Sequence, residues 1–346
     1  MEGCDNNMEV TIRDIAEKCK VGVSTVSRAI NNHPDINPET KKLILSTIEE
    51  LNYIPNNSAR NLKRTESKSL AVLVKGTRNH LFDNLIHRME KDIIHNKYSF
   101  FQHHVEEHED EVEIALQLIK EKRLRGIVFL GGHFEHDNKR MRQISVPFVL
   151  STMGSTNDLA GTVSTYFSVD DMHESYKVTD FLCKKGHKRI AILAAQKDDT
   201  SIGLLRLEGY KKALRDNGIE PDEKLIRFMD SDMQTYSMEN GYKVMKELLA
   251  EEEDFTAVYA ISDMQAIGAS KAIFRSGKQI PNDYAVAGFD GVEETYFYEP
   301  SITTIKQPVE EIADASIKAL FKMIKTKESV PGKVFEGELL VRDSTK

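Results

Sequence analysis

The sequence predicts a small all-α head followed by a larger α/β body of two similar lobes, and three features carry that prediction. Apolar residues recur at helical spacing, with capping residues in register, three times before residue 52. From residue 69 onward, short β-rich runs alternate with amphipathic stretches, the pattern of parallel sheets with helical crossovers. That alternation falls into two similar halves that divide near Ser168. With 346 residues and 40% hydrophobic content, the chain can supply two or three domains with ordinary buried cores.

The first helix opens at Thr11-Ile-Arg-Asp14, a capping-box spacing with Thr11 as N-cap, and Ile12, Ile15 and Ala16 set its apolar face as far as about Cys19. Lys20-Val-Gly22 breaks it. The stretch 23–30 puts Val23, Val26 and Ile30 on one face and turns Ser24, Thr25, Ser27 and Arg28 outward. A third helix starts at Asn37 with Pro38 in the first helical position and continues through Leu43, Ile44, Thr47, Ile48 and Leu51. Two short helices joined by a tight turn and braced by a third make a helix-turn-helix, whose second helix enters the major groove of DNA. The alternative is a three-helix domain of no such function. Against it stands the outward face: small hydroxyl side chains and one Arg approach base edges and phosphates closely, where a merely solvated face more often carries Glu and Lys. Charge agrees. Residues 10–65 hold nine Lys/Arg against six Asp/Glu, a net of +3, leaving −11 for the remainder of a chain whose formal charge is −8. One end can meet phosphates while the other repels them.

In the body, strands are expected over 70–74, 99–103, 126–130, 146–150, 189–193, 257–261 and 284–288. Helices are expected over 82–95, 110–122, 171–185, 204–217, 240–251, 263–276 and 309–325. Ligands of open α/β sheets bind beyond the carboxyl ends of the strands, so residues just past each strand are the informative ones. No GxGxxG or P-loop follows any strand, which argues against a nucleotide-dependent enzyme, and there is no Gly-x-Ser-x-Gly elbow; no enzyme is expected. Cys4, Cys19 and Cys183 fall at no metal-binding spacing and read as free thiols. His103, His104 and His108 follow the second strand, and His133 and His136 the third, in no structural-zinc pattern, so neither metal nor cofactor is expected. MEGCDNNMEV has no secretory character and no apolar run is long enough to span a bilayer, so a cytoplasmic protein without membrane contact is expected.

VTIRDIAEKCKVGVSTVSRAIN, followed by Tyr53-Ile-Pro-Asn-Asn-Ser-Ala-Arg-Asn-Leu62, resembles the amino-terminal signature of the LacI/GalR regulators, and Met8 stands where such proteins usually start. The resemblance continues through Lys185-Gly-His-Lys-Arg-Ile-Ala-Ile192, Ser262-Asp-Met-Gln-Ala-Ile-Gly268, Val286-Ala-Gly-Phe-Asp290 and Pro300-Ser-Ile-Thr-Thr-Ile-Lys-Gln-Pro308, which covers almost the whole chain. Two turn positions depart from the pattern: Lys20 replaces a usual Gly or Asn, and Gly22 a usual Ser. The resemblance implies a helix-turn-helix head at 9–54, a hinge helix and linker at 55–67, and an effector-binding and dimerisation body at 68–346. That body is periplasmic-binding-protein-like, with two Rossmann-like subdomains: about 68–167 plus 301–328, and about 168–300 plus 329–346.

By the same resemblance, Val23, Ser24, Thr25, Ser27 and Arg28 belong to the recognition helix, and Thr11 and Asn31 touch phosphates. Asn56, Ala59 and Arg60 fall in the hinge, and Leu62 is the wedge that enters the minor groove. A hinge of about two turns is too short to be stable alone in water and should form on DNA. In the body, Arg206 and Asp290 match positions that hydrogen-bond the polar groups of effectors. Phe82 packs on the effector or on the core. Met233 or Tyr236 replaces an aromatic platform that many relatives carry. Asp263 and Asp170 also follow strands, with helix capping as their other reading.

A head of this size reads few base pairs, so a homodimer on a palindromic double-stranded operator is implied, with a small polar effector of the carbohydrate kind acting by linkage. Two alternatives stay open. One is control by a protein partner, such as the phosphorylated carrier protein bound by catabolite-control relatives. The other is a two-lobed solute-binding protein or sugar-handling enzyme, which needs export or a catalytic constellation.

Overall fold

The computed structural model describes residues 10–30, 32–51, 53, 68–76, 80–106, 109–132, 138–154, 159 and 161–346. The chain divides into two compact units, Met1–Glu66 and Ser67–Lys346.

The first unit contains α1 (Ile12–Lys18), α2 (Val23–Ile30) and α3 (Pro38–Glu50) around a core of Ile15, Ala16, Cys19, Val26, Ala29 and Ile44. The caps follow the sequence. The Asp14 carboxylate accepts from both the Thr11 amide and hydroxyl at 2.7 Å, and Asn37 Oδ1 accepts from the amides of Glu39 and Thr40. At the end of α1, Lys20 sits at φ +54°, while the amides of Val21 and Lys20 return to the carbonyls of Ala16 and Glu17. This is the Schellman closure, which favours glycine at the left-handed residue. One expectation on α2 needs correction. Val23 is 43% exposed, because the buried face is centred on Val26 and Ala29, and the first turn lies at its margin.

The second unit has two six-stranded sheets. The strands are β1 (Ser69–Lys75), β2 (Ser99–Val105), β3 (Gly126–Leu130), β4 (Phe148–Ser151), β5 (Ser164–Val169), β6 (Ile190–Ala194), β7 (Ile226–Phe228), β8 (Ala257–Ala260), β9 (Ala285–Asp290), β10 (Thr303–Lys306), β11 (Lys333–Phe335) and β12 (Glu338–Leu340). The first sheet runs β11-β5-β4-β3-β1-β2 and the second β12-β10-β9-β8-β6-β7. All pairings are parallel except β10 with β12. Near-continuous apolar strands such as Leu70 to Val74 and Ile190 to Ala194 are buried on both faces, as helix-covered parallel strands must be.

The helices are α4 (His80–His95), α5 (Glu111–Lys122), α6 (Asn138–Met141), α7 (Asp171–Lys184), α8 (Ile202–Asp216), α9 (Met238–Ala250), α10 (Asp263–Arg275), α11 (Glu294–Phe297) and α12 (Val309–Thr326). α4 and α12 pack on the first sheet, α7 and α10 on the second. Among the described residues the chain therefore passes between the lobes at 169–171, 306–309 and 335–338. The lobe boundaries expected from sequence differ from this layout. β10 lies in the second sheet although 301–328 was assigned to the first lobe, and β11 lies in the first sheet although 329–346 was assigned to the second.

Candidate functional site

A cavity of about 220 Å³ lies between the lobes, at the carboxyl ends of strands from both sheets. Open α/β sheets offer ligands this position. From the second lobe it is lined by Gln196 and Asp198 past β6, Ser201 and Arg206 of the α8 region, Thr235 and Tyr236, and Asp290 closing β9. The first lobe contributes Lys75 at the end of β1 and Gly76 after it, Phe82 on α4, Gly131 and Gly132 after β3, and Thr152 after β4. Gln307, from a crossover, completes the wall.

Arg206 is the fixed point of the second-lobe side. It is 2% exposed, its Nε donates to Asp171 Oδ1 at 2.8 Å, its Nη1 donates to the Ile261 carbonyl at 2.6 Å, and Nη1 stands 3.7 Å from Asp290 Oδ1. The guanidinium lies over the Phe289 ring, 3.7 Å from its centroid. Burial pulls the Arg206 pKa down, but the charges of Asp171 and Asp290 outweigh it and hold the group protonated. Burial pushes Asp171 up to about 6, against the pull of Arg206.

Asp290 is held at φ +120°, a conformation that costs a residue with a Cβ. Its carboxylate accepts from Gln307 Nε2 at 2.9 Å and its carbonyl from the Gln307 amide at 3.2 Å, which ties the end of β9 to the crossover. Thr152, a β-branched residue, is likewise at φ +70°. Two strained non-glycine residues thus face one cavity, the usual sign of a site that positions a ligand. The Tyr236 hydroxyl is buried beside Ser201, and burial raises its pKa.

On the first-lobe wall, Lys75 Nζ stands 3.2 Å from Glu111 Oε2, with the two side chains 8% and 3% exposed, and it also donates to the Glu109 carbonyl. Gly132 makes room for this pair: at φ +122° it carries no Cβ, and one there would stand 2.5 Å from Glu111 Oε1.

Of the residues expected from sequence, Phe82, Arg206, Asp290 and Tyr236 come together around the cavity. Met233 is half-buried in the loop before α9 and does not line it. Asp263 is withdrawn from it as well. Its carboxylate accepts from the Val292 amide at 2.9 Å and from Thr304 Oγ1 at 2.7 Å, and Ser262 rather than Asp263 caps α10. Asp170 caps α7, accepting from the His173 amide. Sequence reasoning missed Lys75, Thr152 and Gln307. Thr152 lies just past β4 and Lys75 just past the expected strand 70–74, so both satisfy the rule of residues beyond a strand, while Gln307 follows β10, a strand it did not predict.

In the head, Val23, Ser24, Ser27 and Arg28 are exposed on α2 and Thr11 is exposed at the start of α1, while Thr25 is half-buried. Asn31, Asn56, Ala59, Arg60 and Leu62 lie outside the described residues, as do His108, His133, His136 and the hinge. His103 and His104 are exposed on β2, and among the described residues no cluster of metal-ligating side chains is present and no helix is long and apolar enough to cross a membrane.

The family model described as bacterial regulatory proteins, lacI family, matches residues 11–56, and one described as a periplasmic binding protein-like domain matches residues 179–345. The HTH-type transcriptional regulator MalR of Clostridium butyricum is 37% identical over 97% of this chain and 99% of its own length. Among solved structures, a complex of the transcriptional regulator CelR with cellobiose is 27% identical with a TM-score of 0.69, covering 97% of this chain and 99% of that one. The lac repressor dimer bound to operator and the anti-inducer ONPF shares the fold at 24% identity and a TM-score of 0.74, again over 97% and 99%.

Proposed function

The chain belongs to the LacI family of bacterial regulatory proteins, and from that premise we propose that this DNA-binding transcriptional regulator is a repressor that grips a palindromic operator as a homodimer and answers to a small, hydroxyl-rich effector. The observation that carries the effector half is the cavity between the lobes, where Arg206, Asp290 and the Tyr236 hydroxyl converge from one side and Phe82 from the other. A fixed cation, a carboxylate and a phenol supply donors and acceptors for hydroxyls, and an aromatic face supplies apolar contact. The relative CelR is named in complex with cellobiose, which favours a carbohydrate. For the DNA half, α2 offers Val23, Ser24, Ser27 and Arg28 to base edges and phosphates, with Thr11 and Asn31 to phosphates and Asn56, Ala59, Arg60 and Leu62 to the minor groove.

Operator selection from random DNA at several salt concentrations, followed by titration of the selected operator complex with a sugar panel, tests both halves. An asymmetric selected site counts against the dimer, and an operator complex indifferent to every sugar counts against the effector. Leu62→Ala is expected to weaken specific binding while sparing most non-specific binding; equal losses on both DNAs in a filter assay refute the wedge.

A second reading gives control to a protein, such as a phosphocarrier, docked on the outside of the body. The observation favouring it is the exposure of Tyr296 and Phe297, 62% and 73%, beside an open groove of about 1020 Å³ lined in part by His87, Lys91 and Arg342. A regulator of that kind shows no melting shift with any sugar.

A further inference from the structure

Two cations are found among the described residues that line the cavity, Lys75 and Arg206, and each already faces carboxylates. Arg206 is held by Asp171 and Asp290, and Lys75 by Glu111. Among the described residues around the cavity, Glu111, Asp171, Asp198, Asp199 and Asp290 stand against these two, an excess of three negative charges. A phosphate or carboxylate entering here meets that field and must compete with a buried carboxylate for either cation. A hydroxyl faces no such contest. An ammonium has three N–H donors; Lys75 directs one at the Glu109 carbonyl and pairs its charge with Glu111 Oε2 at 3.2 Å, which leaves N–H capacity for a neutral oxygen. The bare backbone of Gly132 is what lets the Glu111 carboxylate reach this position.

We propose that the buried Lys75–Glu111 pair sets the charge selectivity of the cavity: it presents an oriented N–H to an uncharged, hydroxyl-bearing ligand and denies the lysine to phosphorylated or carboxylated ones. This rests on the reading of the cavity as the effector site.

The test uses the full chain, its Glu111→Gln variant and the Lys75→Met/Glu111→Gln double variant, with inorganic phosphate as the probe and melting temperature as the readout at constant ionic strength. Removing the Glu111 charge strands a buried ammonium, which then captures an anion. Glu111→Gln should gain about 3 °C or more at about 20 mM phosphate relative to the other two chains, whose responses, including that of the head, should match. Equal responses in all three overturn the proposal. Should Glu111→Gln fail to fold, the remaining pair decides: a phosphate response present in the wild-type chain and lost in the double variant shows Lys75 open to anions and overturns it, and matching responses uphold it. A second arm applies glucose against glucose 6-phosphate, and ribose against ribose 5-phosphate, to the wild-type operator complex. Release by a sugar phosphate but not by its parent sugar overturns the charge rule. Indifference to all four counts against the effector reading alone, because the phosphate result on the variants is read without an effector.

Discussion

Lys20 occupies the left-handed region at φ +54°, which costs a residue with a Cβ about 1 kcal/mol and glycine nothing. Lys20→Gly is therefore expected to stabilise the head by about 1 kcal/mol, seen by calorimetry as an upward shift of its transition, whereas Lys18→Gly, inside α1, lowers it by a similar amount. Asp171 supplies a prediction in pH. Its pKa in the folded chain, about 6, lies above its ordinary 3.8, so the folded state holds the proton more tightly than the unfolded one. Its contribution to stability is full below about pH 4, falls as pH rises through about 6, and is constant above; the gap corresponds to about 3 kcal/mol. The wild-type stability curve minus that of Asp171→Asn should fall over that window, and a rising difference contradicts the assignment. Single residues were legible where position sufficed. Asp290 closes a motif, Arg206 matches a family position, and Tyr236 lies in a loop at the cleft. Asp263 was not, because Thr304 and the Val292 amide, which draw its carboxylate away, arrive 41 and 29 residues later in the chain.

Elements with a continuous apolar period were readable, and those built on hydroxyls or on three residues were not. β5 buries Ser164, Thr165 and Ser168, and β10 buries Thr303 and Thr304. In β10 the hydroxyls are tolerated because Thr304 donates to Asp263 and Thr303 bonds Thr345 at 2.6 Å, partners that local sequence does not display. β7, β11 and β12 are too short to establish a period. Helix contacts hide a second kind of information. α9 and α10 meet through Gly268, where a Cβ would stand 2.0 Å from the Met238 carbonyl oxygen. Gly268→Ala must push the helices apart and is expected to destabilise the body by about 2–3 kcal/mol in denaturant titration. Gly154→Ala, whose Cβ would meet nothing closer than 3.8 Å among the described residues, serves as the near-neutral control.

For the whole molecule, a repressor reading requires that effector and operator binding be linked. The factor by which a sugar changes operator affinity must equal the factor by which operator changes sugar affinity, and anisotropy with calorimetry on the same preparation checks that equality. The duplication of the body was visible as two runs of alternating strands and helices. Its exchange of segments was not, since which sheet accepts β10 or β11 is decided by pairing with strands far away in sequence. The exchange also bears on how the protein is made. β11 and β12 form an edge of each sheet, and the Ser344 hydroxyl donates to the Val286 carbonyl while accepting from the Thr303 amide, so both lobes depend on residues 333–345. On the ribosome, neither sheet gains its outermost strand until that stretch has cleared the exit tunnel, and until then β5 and β10 stand as unpaired edges that must be kept from aggregating.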